Sequence, residues 1–117
     1  MSFILFFLLL NGHNHLKTFC DCDTIIGKKA AQHVFEGRVT AITRIDSDVV
    51  SYEVAFRVER KIKGRIKGKK MVINVPCMLE MCCGIPFTEN ERYVVYTFIR
   101  NGKEYTSACT LTSKLVN

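Results

Sequence analysis

The residues of this chain best equipped for chemistry are six cysteines: Cys20, Cys22, Cys77, Cys82, Cys83 and Cys109. As thiolates they could hold a metal. Structural zinc, however, favours paired Cys-x2-Cys knuckles, and a Cys-x-Cys followed much later by Cys-Cys is a different spacing. As a nucleophile, a cysteine needs a base at hand, and His33 is the single histidine after Cys20. As disulfides they form an even set, which fits an oxidising compartment. Cys20 and Cys22 are too close to bond each other comfortably, and so are the neighbours Cys82 and Cys83. Both clusters are therefore expected to reach across the fold. No metal of its own and no cofactor is expected.

The second group with chemical potential is basic. Residues 57–70 carry Arg57, Arg60, Lys61, Lys63, Arg65, Lys67, Lys69 and Lys70 against Glu59 alone. Such a run can grip a polyanion such as a glycan, an envelope lipid or a nucleic acid. Equally, it can be the solvated face of a strand followed by a glycine-rich turn. Stacking aromatics are not interleaved in it, so nucleic acid is not the expected partner. The whole chain has a formal net charge of +6 over 117 residues, which excludes an acidic solvating protein.

These residues need a scaffold, and the chain length suits one domain. Phe3 to Leu10 is an unbroken apolar run, too short to span a membrane, and it matches the h-region of a secretory signal. Residues 1–19 are read as the signal and 20–117 as the folded domain. The expected location is secreted, extracellular or periplasmic, with no transmembrane segment in the mature chain. Lys17 and Phe19 are not the small residues a signal peptidase favours just before Cys20, so a cut after Gly12 is chemically easier. The same residues argue against lipid attachment at Cys20.

Thr24 to His33 allows a short helix, with Thr24 as its cap and Ala30 and Ala31 favouring it. His33 is expected at the helix end or core edge. After that the periodicity is β. In residues 34–45, Phe35, Val39 and Ala41 share one parity. In residues 50–62, Tyr52, Val54, Phe56, Val58 and Ile62 face one way, with Glu53, Arg57, Glu59 and Lys61 opposite. Met71, Ile73 and Val75 make a third strand, ended by Pro76. Residues 91–100 make a fourth, apolar on both parities, and Asn101-Gly102 turns it into a fifth near 103–110. Five strands and one short helix predict an all-β domain built as a small antiparallel OB-fold barrel.

In this order the residues resemble a known family. Cys20-Asp21-Cys22 follows a signal, and Val34-Phe35-Glu36-Gly37-Arg38-Val39 leads to Tyr52-Glu53-Val54-Ala55-Phe56-Arg57-Val58. Then come Cys83-Gly84, Arg92-Tyr93-Val94-Val95-Tyr96 and Tyr105-Thr106-Ser107-Ala108-Cys109. The set is similar to the netrin-like N-terminal domain of the tissue inhibitors of metalloproteinases, and nearest to their single-domain bacterial relatives. The resemblance implies an OB barrel with disulfides Cys20–Cys83 and Cys22–Cys109. It leaves Cys77 and Cys82 for a third bond, with free thiols as the alternative. It also implies inhibition of a zinc metalloendopeptidase, whose zinc is chelated by the α-amine and carbonyl of Cys20. Asp21, Cys22 and Asp23 would lie along the substrate groove, and Met81, Cys82 and Cys83 would form a second contact.

Two readings of function follow. One is a secreted inhibitor of this kind. The other is a non-inhibitory netrin-like module of the cell envelope that holds an anionic partner through residues 57–70. An enzyme is not expected, because no Ser-His-Asp or paired-carboxylate arrangement can be placed after residue 19. The expected state is a monomer.

Overall fold

The computed structural model describes residues 22–79 and 83–116. Alternation of apolar and polar residues produces two long strands, β1 (Val34–Ile45) and β2 (Ser51–Lys63), which pair as an antiparallel hairpin. The other strands are shorter: β3 (Lys70–Val75), β4 (Arg92–Tyr96), β5 (Phe98–Arg100), β6 (Lys103–Tyr105) and β7 (Ser113–Lys114). They form one mixed sheet in the order β5-β6-β3-β2-β1-β4-β7. Every pairing is antiparallel except β3 with β6, which is parallel. Thr97 alone separates β4 from β5, so one stretch of chain supplies one end of that order and the strand next to the other end.

Three irregularities bend the long hairpin. Between the pairs Val34–Lys63 and Phe35–Lys61, β2 carries Ile62 as an extra residue. Between Glu36–Arg60 and Gly37–Val58 it carries Glu59. Between Val39–Phe56 and Ala41–Ala55, β1 carries Thr40. Each extra residue sharpens the local twist and re-aims the side chains around it. The bulge at Thr40 corrects one expectation. Ala41, placed with Phe35 and Val39 on the core side by strict alternation, is exposed, and Ile42 packs against the core instead.

The core lies on one face, centred on Phe56. Its ring meets Phe35, Phe87 and Tyr93 edge-on, at centroid distances of 5.4, 5.4 and 6.5 Å. Val39, Val54, Ile73, Val75 and Val95 fill the space around it, all fully buried. Ile66, from the loop between β2 and β3, is buried too and pins that loop to the core.

The helix expected over Thr24–His33 is not formed. Residues 28–30 make one turn, closed by the Ala31 N–H donating to the Gly27 carbonyl at 3.0 Å. Ile26 is instead drawn into a parallel bridge with Thr110, its N–H donating to Cys109 O and its carbonyl accepting from Leu111 N. A first helical turn is costly to nucleate, and tertiary pairing of the backbone wins here. The Lys63 ammonium then donates to the carbonyls of Lys28, Lys29 and Ala31 at 2.7–2.9 Å, satisfying groups that a longer helix would have used. The expected five strands become seven segments: the fourth breaks at Thr97, and the fifth ends at Tyr105 rather than continuing to residue 110. The hairpin at Asn101-Gly102 has positive φ at both residues (53° and 77°), as a type I′ turn requires.

Candidate functional site: a cystine edge and a basic face

The start of the described chain is tied to its far end. Cys22 and Cys109 form a disulfide across 87 residues of sequence, with Cα atoms 5.5 Å apart. Closing a loop of that length restricts the unfolded chain by about 4 kcal/mol. Cys77 and Cys83 are disulfide-bonded as well. The expected pairings of Cys83 with Cys20 and of Cys77 with Cys82 each have one end outside the described residues. So do the expected contacts at Asp21 and Met81.

Pro76, Cys77 and Cys83 lie beside this tie. Ala108 N donates to Cys83 O at 3.0 Å, and Gly84 N donates to Leu79 O at 2.9 Å. Gly84 is required: a Cβ there would stand 1.9 Å from the Cys77 carbonyl oxygen. Cys83 itself holds φ at 61°, an unusual conformation for a residue with a side chain. The structure thus gathers Cys22, Asp23, Cys77 and Cys83 around one cleft of about 580 Å³. Its other wall was not foreseen from sequence. Phe98 and Tyr105 stack at 6.0 Å with their rings 20° apart, and the Arg100 guanidinium lies 5.3 Å from the Phe98 ring centre. The Asn101-Gly102 turn, whose two-residue loop dictates the pairs Arg100–Lys103 and Phe98–Tyr105, signals in the sequence that these side chains meet, but not that they line this cleft.

His33 sits beside this region as a latch rather than as a base for a cysteine. Its Nδ1 is 2.5 Å from Glu104 Oε2, the same oxygen that accepts the Thr97 hydroxyl. The His33 backbone N–H donates to Thr97 Oγ1, and the His33 carbonyl accepts from Thr97 N. Gly64 makes room for the imidazole, since a Cβ there would come within 2.4 Å of His33 Cδ2. Among the described residues no cluster of three or more His, Cys, Asp or Glu side chains has the arrangement to hold a metal ion. Nor is any helix among them long and apolar enough to cross a membrane.

The basic run separates into parts. Lys63 is turned inward onto three carbonyls and is removed from the anion-binding set. Arg60 pairs with Glu36 at 3.2 Å, and Arg57 stands 3.8 Å from Glu59. Glu59 also receives Arg92 at 2.7 Å and Arg38 at 3.6 Å, two arginines outside the run. The hydrogen bond from Arg92 holds the Glu59 carboxyl below its usual range, against an opposing effect of burial and with help from the nearby positive charges. Lys61, Arg65, Lys67, Lys69 and Lys70 are exposed, with no acidic partner among the described residues.

No protein-family model and no curated protein matches the chain.

Proposed function

We propose that the protein is a secreted, inhibitor-like domain of OB-barrel, netrin-like architecture that engages a zinc metalloendopeptidase through the edge beginning at Cys20. The observation that carries this reading is the meeting of Cys22, Asp23 and Cys83 at one edge, with Cys22 bonded to Cys109 and Cys83 hydrogen-bonded to Ala108. The Cys22–Cys109 bond and the Ala108–Cys83 hydrogen bond anchor the two segments on neighbouring residues, and anchored segments lose little ordering entropy when they enter a groove. The chemistry suits such a target. Catalytic zinc keeps a position open, and an α-amine with a pKa of about 8 gives up its proton on meeting the metal. In this reading Cys20 chelates, Asp21, Cys22 and Asp23 lie along the groove, and Met81, Cys82 and Cys83 form the second contact.

The barrel part of the reading is supported by the strand order. β4 and β5 serve as one bent fourth strand, whose first half pairs with β1 and whose second half pairs with β6. The parallel pair β3–β6 is the further neighbour relation that an OB topology uses, although the sheet itself ends at β5 and β7.

The test has two stages. Intact mass and N-terminal peptide mapping of the exported, unreduced protein are expected to show a start at Cys20. A panel of zinc metalloendopeptidases is then expected to contain one that the protein inhibits, with inhibition lost when the α-amine is acetylated. A start upstream of Cys20, or inhibition indifferent to acetylation, overturns the chelation mechanism. The non-inhibitory envelope module is the reading that would replace it.

A further inference from the structure

Strand register assembles a feature that the basic run does not display. Arg38 on β1 is the cross-strand partner of Arg57 on β2 and of Arg92 on β4, and Arg57 is the partner of Lys70 at the start of β3. Cross-strand partners share a face, and the neighbouring residues Val39 and Phe56 are buried on the other side. Four adjacent strands therefore each contribute one cation to a single row, Arg92-Arg38-Arg57-Lys70, that runs across the outer face. With strands about 4.8 Å apart, the row spans about 15 Å.

Like charges set directly opposite one another destabilise a sheet, so such a row calls for compensation. Glu59 supplies part of it. It is the extra residue of the second bulge, and its carboxylate lies within 4 Å of Arg92, Arg38 and Arg57. The row stays accessible: the Arg57 side chain is 61% exposed, the Arg38 side chain 36%, and Lys70 is exposed. The loop that enters it adds Lys67 and Lys69, held in place by buried Ile66.

We propose that this row is a docking surface for a linear sulfated polysaccharide. Guanidinium groups bind sulfate with two parallel hydrogen bonds, and a row of cations fits a chain of repeating anionic groups. No aromatic side chain belongs to the row, so it lacks the stacking platform that single-stranded nucleic acid uses. The disulfide between Cys22 and Cys109 fits an oxidising, extracellular setting where such glycans occur. The site lies apart from the cystine edge, so its failure would leave the inhibitor reading standing, and the reverse holds.

The probe is a low-molecular-mass dextran sulfate, titrated into the full exported protein at several salt concentrations. Wild type is expected to bind in a salt-sensitive manner. The double variant Arg57→Gln/Lys70→Gln is expected to bind roughly tenfold more weakly, while the charge-matched Lys28→Gln/Lys103→Gln stays within about twofold of wild type. Glu59→Gln removes the counter-charge and is expected to tighten binding. Thermal unfolding of each variant shows that it is folded, and the opposite sign at Glu59 keeps the test decisive if one variant misfolds. Equal loss in the two double variants overturns the proposal by reducing it to net charge. So does tighter binding of a single-stranded oligonucleotide or of anionic phospholipid vesicles than of dextran sulfate, and so does no gain at Glu59→Gln.

Discussion

Single atoms decide the geometry of the cystine edge. Gly84 has no room for a methyl group, because the Cys77 carbonyl stands where a Cβ would be. Gly84→Ala is therefore expected to push Gly84 and Cys77 apart and lower stability by about 2 kcal/mol, readable as a lower denaturant midpoint. Gly102 offers a contrast: φ is 77° but a Cβ would meet nothing within 4 Å. Gly102→Ala is expected to cost about 1 kcal/mol from backbone strain alone. Glu59 carries the pH dependence. Its folded pKa lies below the usual value of 4.5 because Arg92 hydrogen-bonds the charged form. A depressed carboxylate adds stability that is present above the unfolded pKa and lost as pH falls through the folded one. The melting temperature is thus expected to decline below pH 4.5, and Glu59→Gln is expected to flatten that part of the decline. Because Glu59 is solvated, the effect should shrink in high salt.

The same logic applies to elements. The turn over residues 28–30 replaces the expected helix because the disulfide partner segment captures Ile26 and Lys63 captures the turn carbonyls. Lys63→Met keeps the aliphatic stem but removes all three donors. It is expected to destabilise the domain by about 1–3 kcal/mol, and hydrogen exchange should speed up first at residues 27–33. The hairpin of β1 and β2 owes its bend to Ile62, Glu59 and Thr40. Period-2 alternation identified both strands, yet it assigned Ala41 to the core, because alternation counts residues and does not see a bulge. Asn101-Gly102 was legible for the opposite reason: positive φ at two successive residues is a local requirement that those residue types meet locally.

At the scale of the molecule, two long-range devices hold the sheet in shape. One is the Cys22–Cys109 bond, which closes most of the chain into one loop. Replacing both cysteines by serine is expected to lower unfolding free energy by about 4 kcal/mol, a large share of the total for a domain of this size. The other is Thr97, fully buried where β4 passes into β5, with the His33–Glu104 pair beside it. It lets one stretch of chain pair with β1 on one side and with β6 on the other.

The amino-acid sequence by itself determined the β class, the two long strands, the core residues Val54, Phe56 and Val58, the tight turn at Asn101-Gly102 and the basic character of residues 57–70. Each of these follows from periodicity, residue type or composition within a short window. The tertiary structure alone decided that Lys63 faces inward, that Phe98, Arg100 and Tyr105 wall the cleft, and that Arg38 and Arg92 join Arg57 and Lys70 in one row. Those facts depend on bulges, registers and strand order. They are set by which distant segments pair, and no local window contains that information.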